Sequence, residues 1–113
     1  MRSKNDADYL RDVLRHIELA ESFTQGHSYE SFRDDQRTVL AVIRCLEIIS
    51  EASRRLSDEF KTRHSEIPWQ PIAAAGNFYR HDYEDVTSRR IWKTLREDLP
   101  PLREMIEAEL KRI

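Results

Sequence analysis

Apolar residues recur at helical spacing along most of this chain, and that spacing limits the possible folds more than any other feature. In the first such stretch Leu10, Val13, Leu14, Ile17 and Ala20 fall on one face of a helix, with charged residues elsewhere. The chain has only two glycines and is rich in residues that favour helices. The sequence therefore predicts an all-α fold.

The first half of the chain divides into two predicted helices. The first covers about residues 8–23 and ends at a turn that contains Gly26. The second covers about residues 34–61, with Asp34 as its N-cap and with Ser28 capping a short turn before it. Because this second helix is apolar on more than one side, we expect it to pack both within the bundle and against a second subunit.

The second half predicts a third helix and a long last one. Residues 73–76 of the third helix are all small, which predicts close approach of another helix. Thr87 or Ser88 is the expected cap of the last helix, and Pro100 and Pro101 should kink or divide it. Together the patterns predict one domain over residues 1–113, a four-to-five-helix up-and-down bundle.

Composition excludes several classes of protein. The 19 Lys and Arg residues nearly balance 21 Asp and Glu residues, giving a net charge of −2. Bulk electrostatic coating of nucleic acid is therefore not expected, nor is DNA binding, and RNA contact would need a local basic patch. The single cysteine, Cys45, allows neither an intramolecular disulfide nor a thiolate metal site, and lies where a small packing residue is expected. With no secretion signal and no membrane span, the predicted location is the cytoplasm.

Side chains that can take part in catalysis are most concentrated in residues 76–83, which read Gly-Asn-Phe-Tyr-Arg-His-Asp-Tyr. On an α-helix Asn77 and His81 would face the same way, so the amide could orient the imidazole. The pKa of a histidine side chain suits it to act as general base on a ribose 2′-hydroxyl or as acid to the leaving oxygen. Arg80 could stabilise charge that develops on a phosphate. One histidine cannot easily do both proton transfers, so activity is expected to depend on a dimer.

A second group of basic residues follows the motif. Arg89, Arg90, Lys93 and Arg96 cluster near the start of the last predicted helix and could contact phosphates. Acidic residues lie close by on both sides of the cluster, and a solvated helix face is the favoured interpretation. Trp92, within the same stretch, is interpreted as a core or interface residue rather than a platform for bases.

Three blocks in a fixed order resemble the HepT-like branch of the HEPN superfamily. They are Arg37-Thr38 with residues 46–53 (Leu-Glu-Ile-Ile-Ser-Glu-Ala-Ser), residues 67–69 (Ile-Pro-Trp), and residues 80–83 with Ile91-Trp92 and residues 98–102 (Asp-Leu-Pro-Pro-Leu). The resemblance implies a HEPN helical bundle, usually a homodimer. It also implies a toxin that cleaves RNA without a metal and is paired with an MNT-type nucleotidyltransferase antitoxin.

The family signature is an arginine, a polar residue, a few variable positions, a histidine and, two residues on, a tyrosine. In this sequence His81 matches the histidine, Asn77 the polar residue and Tyr83 the tyrosine. By resemblance, Tyr83 is the position that the nucleotidyltransferase modifies with AMP. The arginine position is held by Gly76, and the nearest arginine, Arg80, lies about 100° away from His81 around a helix.

Two other functions remain open from the sequence. The departure at Gly76 favours a non-catalytic partner that binds nucleotide near His81 or regulates a nucleotidyltransferase. The third possibility is a helical interaction protein that shares only the fold. No cofactor or metal is expected, because His16, His27 and His64 have no ligand spacing in common.

Overall fold

The computed structural model describes residues 5–80 and 84–113. Within these ranges every regular element is helical, so the predicted all-α fold is confirmed. The elements, in chain order, are α1 (Asp6–Thr24), α2 (Tyr29–Asp34), α3 (Gln36–Arg55), α4 (Asp58–Arg63), α5 (Trp69–Ala74), a 3-10 helix (Ala75–Arg80), α6 (Glu84–Lys93), a π-helical segment (Thr94–Asp98) and α7 (Leu99–Arg112).

Helix α1 agrees with its prediction to within two residues at each end. It begins with a capping box in which the Asn5 side chain accepts from the Asp8 N–H and the Asp8 carboxylate accepts from the Asn5 N–H. The turn after it contains Gly26 at φ 83°, a left-handed conformation that glycine adopts without steric cost. Local sequence signals therefore determine both ends of α1.

The predicted helix over residues 34–61 is instead two helices, α3 and α4, preceded by the last residue of α2. Ser28 caps the short helix α2, as expected, by accepting from the Ser31 N–H at 3.1 Å. Asp34 was predicted as the next cap and this is wrong, since it is the last residue of α2. The cap of α3 is Asp35, whose carboxylate accepts from the Thr38 N–H and, at 2.8 Å, from the Thr38 hydroxyl.

The break between α3 and α4 depends on a contact that is distant in sequence. Helix α3 ends at Arg55, and Ser57 caps α4 by accepting from the Phe60 N–H. The Asp6 carboxylate, at the start of α1, accepts from the Ser57 N–H at 3.0 Å and from its hydroxyl at 2.7 Å. These bonds replace the helical partners that Ser57 would have in an unbroken helix.

The core is built mainly where α1 packs along α3, with α5, α6 and α7 closing it. The largest side chains that are almost completely buried are Leu10, Val13, Ile17, Phe32, Val42, Leu46, Ile49, Ile72, Ile91, Leu99, Leu102 and Ile106. Cys45 is buried among them, which confirms its interpretation as a packing residue. Burial also raises the pKa of its thiol, which disfavours the reactive thiolate.

The last helical stretch differs from its prediction at its start. Thr87 and Ser88 do not cap it; they are buried within α6, because the helix begins at Glu84, nearly one turn earlier. The predicted interruption at Pro100 and Pro101 takes the form of the π segment directly before them. Pro100 and Pro101 have no N–H to donate to the carbonyls four residues earlier. Directly before them, the Leu99 N–H bonds to the Thr94 carbonyl five residues back, which is the π-helical pattern.

Several short helices connect the long helices of the bundle. In the part of the chain that the structure describes, no helix is long and apolar enough to cross a membrane. The homodimer expected from the sequence stays a prediction, and so does the single-domain boundary of residues 1–113.

Candidate functional site

The chain segment that leads into the predicted motif is held against α3 by side-chain hydrogen bonds. The hydroxyl of Ser50, which is completely buried, donates to the Ile72 carbonyl at 2.7 Å and accepts from the Gly76 N–H at 2.9 Å. One turn further along α3, Arg54 donates through Nη1 to the Ala73 carbonyl at 2.6 Å. The backbone from α5 into the 3-10 helix therefore has a defined register on α3.

Gly76 lies close against α3. A Cβ built on it would lie 3.2 Å from the Cα of Glu47 and 3.3 Å from both the Cβ and the Oγ of Ser50. The predicted close approach at residues 73–76 is therefore confirmed, and α3 is the helix concerned. A side chain at position 76 would push against the backbone of that helix.

The predicted site residues fall at the end of this segment. Asn77 is exposed on the 3-10 helix, and Arg80 is the last residue of that helix. The predicted alignment of Asn77 with His81 assumes an α-helix. Residues of a 3-10 helix repeat every three positions, so the α-helical spacing does not apply at Asn77. His81 and Tyr83, like Asp82, lie outside the described residues, and α6 begins at Glu84.

The other histidines serve separate parts of the fold. His16 bonds through Nδ1 to the Asp12 carbonyl of its own helix, and His27 bonds through Nδ1 to the Ser31 hydroxyl. His64 lies 3.2 Å from the mostly buried carboxylate of Glu109 and links the end of α4 to α7. Among the residues described, no three His, Cys, Asp or Glu side chains are grouped as a metal site would need.

The basic cluster predicted after the motif is a surface feature of α6 and the π segment. Arg89, Arg90, Lys93 and Arg96 are all exposed. Arg96 places its guanidinium carbon 4.3 Å from the ring centre of Trp92, which is half-buried and packs against the core, as predicted. The cluster is thus built partly from guanidinium–aromatic contacts rather than from charge alone.

Helix α2 supplies residues to this surface that the sequence argument did not foresee. The ring of Tyr29 lies 4.9 Å from the Arg89 guanidinium carbon and 5.9 Å from that of Arg33. Tyr29 also meets Trp92 edge to face, with ring centres 6.3 Å apart. The available signal was the spacing of Tyr29 and Arg33, one helical turn apart, but nothing local indicated that α2 docks on α6.

Comparisons with known proteins agree with the earlier resemblance. A family model described as Ribonuclease HepT-like matches residues 13–109. The chain belongs to the HepT-like ribonuclease family. A Thermococcus cleftensis protein named "Probable ribonuclease HepT" is 43% identical over 92% of this chain and 94% of its own length.

More distant HepT-like relatives also align along nearly the whole chain. "Putative RNase TTE0752" of Caldanaerobacter subterraneus is 34% identical over 96% of this chain and 97% of its own length. "Putative RNase MJ1380" of Methanocaldococcus jannaschii is 32% identical over 93% of this chain and 97% of its own length. No solved structure gives a significant match.

Proposed function

We propose that this protein is a metal-independent endoribonuclease that acts as the toxin of a bacterial toxin–antitoxin pair. The observation that carries the proposal is the family match over residues 13–109, a range that includes the histidine and tyrosine of the signature. The names of the relatives support an RNA substrate. Both RNA and the ATP needed for its control are available in the cytoplasm, where we place its activity.

His81 is the proposed acid and base. In the first proton transfer it removes the proton from a ribose 2′-hydroxyl, whose oxygen attacks the adjacent phosphorus. The bond from phosphorus to the 5′-oxygen breaks, a protonated imidazole supplies that oxygen with a proton, and a 2′,3′-cyclic phosphate remains. Asn77 supports the imidazole or contacts a phosphate oxygen, and Arg80 stabilises the charge that develops on the phosphate.

The proposed active unit is a homodimer. Each chain supplies one signature histidine, and two copies would provide a base and an acid at the same phosphate. Leu40 on α3 is 57% exposed, which is unusual for a large apolar side chain and is consistent with a contact between subunits. Light scattering after gel filtration should give twice the chain mass of 13.5 kDa.

Control by a nucleotidyltransferase is the second part of the proposal. The phenol oxygen of Tyr83 attacks the α-phosphorus of ATP, pyrophosphate leaves, and the tyrosine proton passes to a base of the partner enzyme. Incubation with an MNT-type partner and ATP should add the mass of one AMP to the chain. Tyr83→Phe should abolish the addition, and Tyr79→Phe is the matched control that should keep it.

The nuclease proposal is tested by inducing the isolated protein and by cleaving RNA in the presence of EDTA. Wild type should arrest growth and cut RNA, whereas His81→Ala should do neither. His16→Ala is the control, because His16 bonds to the Asp12 carbonyl of its own helix, α1. An RNA with a 2′-deoxy sugar at the cleavage position should resist wild type, because the attacking oxygen is missing.

One observation favours a second candidate, a non-catalytic partner of the nucleotidyltransferase that binds nucleotide. By the resemblance, Gly76 stands where the signature has an arginine, and α3 lies so close to it that a side chain there would be crowded. RNA that stays intact with wild type and with His81→Ala alike, together with retained binding of the nucleotidyltransferase, would favour this candidate.

A further inference from the structure

The face where α2 meets α6 carries an arrangement of arginines and aromatic rings that the proposed chemistry does not use. We define the arginine–aromatic face as Tyr29, Arg33, Arg89, Trp92 and Arg96. Two guanidiniums approach the Tyr29 ring and a third lies over Trp92, at the distances given above. All three separations are within the range of cation–π interaction.

The fold holds these residues in fixed positions. Phe32 of α2 is completely buried, and its ring centre lies 5.2 Å from that of Trp92, which anchors α2 on α6. Ser28 fixes the start of α2 through its capping box. Arg96 belongs to the π segment that precedes Pro100, so the same proline that interrupts the helix helps to set the position of its guanidinium.

The charge of this face differs from that of the adjacent groove between α1 and α7. Residues 89–96 contain four basic side chains and no acidic one. In the groove, by contrast, Arg103 forms ion pairs with three carboxylates, those of Glu18, Glu21 and Glu107. On the arginine–aromatic face, Arg33 donates to the carboxylate of Asp34 at 3.1 Å.

We infer that the arginine–aromatic face binds single-stranded RNA, an inference that rests on the proposed RNA substrate and names where that substrate is held. Single strands are recognised by stacking of bases on aromatic rings and on guanidinium planes, together with arginine contacts to phosphates. A guanidinium already held over a ring loses less conformational freedom when it binds a phosphate. The net charge of −2 also requires that any RNA contact come from such a local patch.

The position of the face along the chain suits this role. Arg89 and Trp92 of this face lie on α6, the helix that follows directly after residues 81–83 of the signature in sequence. At 1.5 Å per residue, Arg89 lies about 8 Å along the helix from its first residue, and Trp92 about 12 Å. RNA that lies along α6 would therefore run from the start of the helix, which directly follows Tyr83 in sequence, toward Arg89 and Trp92.

The test measures binding of a short fluorescent oligouridylate, with 2′-O-methyl sugars so that it cannot be cleaved, across a range of salt concentrations. The triple variant Arg33→Gln, Arg89→Gln, Arg96→Gln should raise Kd at least about tenfold. It should also lower the slope of log K against log salt by about 2, because three phosphate contacts on a single strand are lost. Tyr29→Leu should weaken binding without changing that slope, since it removes a ring and no charge.

The matched control is Arg11→Gln, Arg63→Gln, Lys111→Gln, which removes the same charge from exposed positions elsewhere. Arg63 is itself over an aromatic ring, 5.4 Å from the centre of Phe60, so it controls for loss of a cation–π contact as well. Equal loss of binding in both triple variants would overturn the inference, as would a duplex that binds as tightly as the single strand. Circular dichroism of each variant checks that its fold is retained.

The binding result is independent of the cleavage result. Intact RNA in the EDTA assay, with tight binding that depends on the face, would refute the nuclease and support the inference. Cleavage by wild type, with binding unchanged in the Arg33, Arg89, Arg96 triple variant, would support the nuclease and refute the inference.

Discussion

Helix α3 is held on two sides by different kinds of contact. Its most extensive packing is against α1, and its apolar side chains such as Leu46 and Ile49 are completely buried in the core. Against α5 and the 3-10 helix it presents Ser50 and Arg54, which bond to backbone groups. Apolar burial supplies most of the stability but sets register weakly, whereas hydrogen bonds to a backbone set register strongly. The segment that leads into the signature is on the side where position is defined more sharply.

The largest effect is expected on the apolar side. Leu46→Ala should lower the free energy of unfolding by about 3 kcal/mol, because it removes buried methyl groups and leaves a cavity. Ile113→Ala is the control, because this large apolar side chain at the end of α7 is 72% exposed, and its effect should stay below about 0.5 kcal/mol. Urea denaturation measures both. If the two variants were equal, α3 would not be held by apolar burial against α1.

The next effect tests the space at Gly76. Gly76→Ala should destabilise the fold by about 2 kcal/mol, because the new Cβ crowds the backbone of Glu47 and that contact cannot relax by a rotamer change. Gly76→Arg should destabilise it at least as much and should not increase RNA cleavage, although it introduces the residue that the family resemblance expects at this position. Ala74→Leu, at an exposed position two residues earlier, is the control for added volume. A Gly76→Arg variant with wild-type stability and higher activity would contradict the crowding argument.

A smaller loss is expected at Ser50. Ser50→Ala should cost about 1–2 kcal/mol, because it removes the buried hydroxyl that accepts from the Gly76 N–H and donates to the Ile72 carbonyl, although that carbonyl keeps its bond from the Ala75 N–H. Ser53→Ala is the control: Ser53 is also buried, but its hydroxyl donates to the Ser50 carbonyl within the same helix. Hydrogen exchange of the Gly76 amide should speed up in Ser50→Ala alone. Equal behaviour of the two serines would show that the bond to Gly76 does not hold the segment.

The smallest expected effect is on how the stability of the fold depends on acid pH. Hydrogen bonds from Arg54 and Arg55 hold the pKa of Glu51 below its usual value. A carboxylate with a lowered folded pKa stabilises the fold at neutral pH, and that contribution is lost as the pH falls below about 4 toward the folded pKa. Glu51→Gln should therefore show a shallower loss of stability between pH 6 and the acid range (about pH 3) than wild type. Glu59→Gln is the control, and an identical acid dependence in Glu51→Gln and wild type would refute the prediction.

The sequence predicted the parts of the fold that local patterns determine. The ends of α1 follow from a capping box and a glycine turn, and the close packing at Gly76 follows from a run of small residues. The break at Ser57 could not be predicted, because the Asp6 carboxylate that stabilises it is 51 residues away. The predicted cap Asp34 and the observed cap Asp35 are adjacent aspartates, so the local sequence does not distinguish between them.

The candidate site was predicted less completely than the fold. A motif in sequence names residues but not the type of helix that carries them, and Asn77 lies on a 3-10 helix where the argument assumed an α-helix. The arginine–aromatic face needed the docking of α2 on α6, which places Tyr29 next to Arg89 across 60 residues of chain. That docking follows from the burial of Phe32, a tertiary contact that no local pattern contains.

The tight contact at Gly76 has a consequence for how this chain can evolve. A side chain at position 76 requires α3 to shift by a few tenths of an ångström, because the atom it meets on Glu47 is backbone and is the same for every amino acid. An arginine there is therefore favoured by changes that move α3 and the 3-10 helix apart. Related chains with an arginine at this position should therefore show a wider spacing between these two elements, and the spacing and the residue should be inherited as a pair.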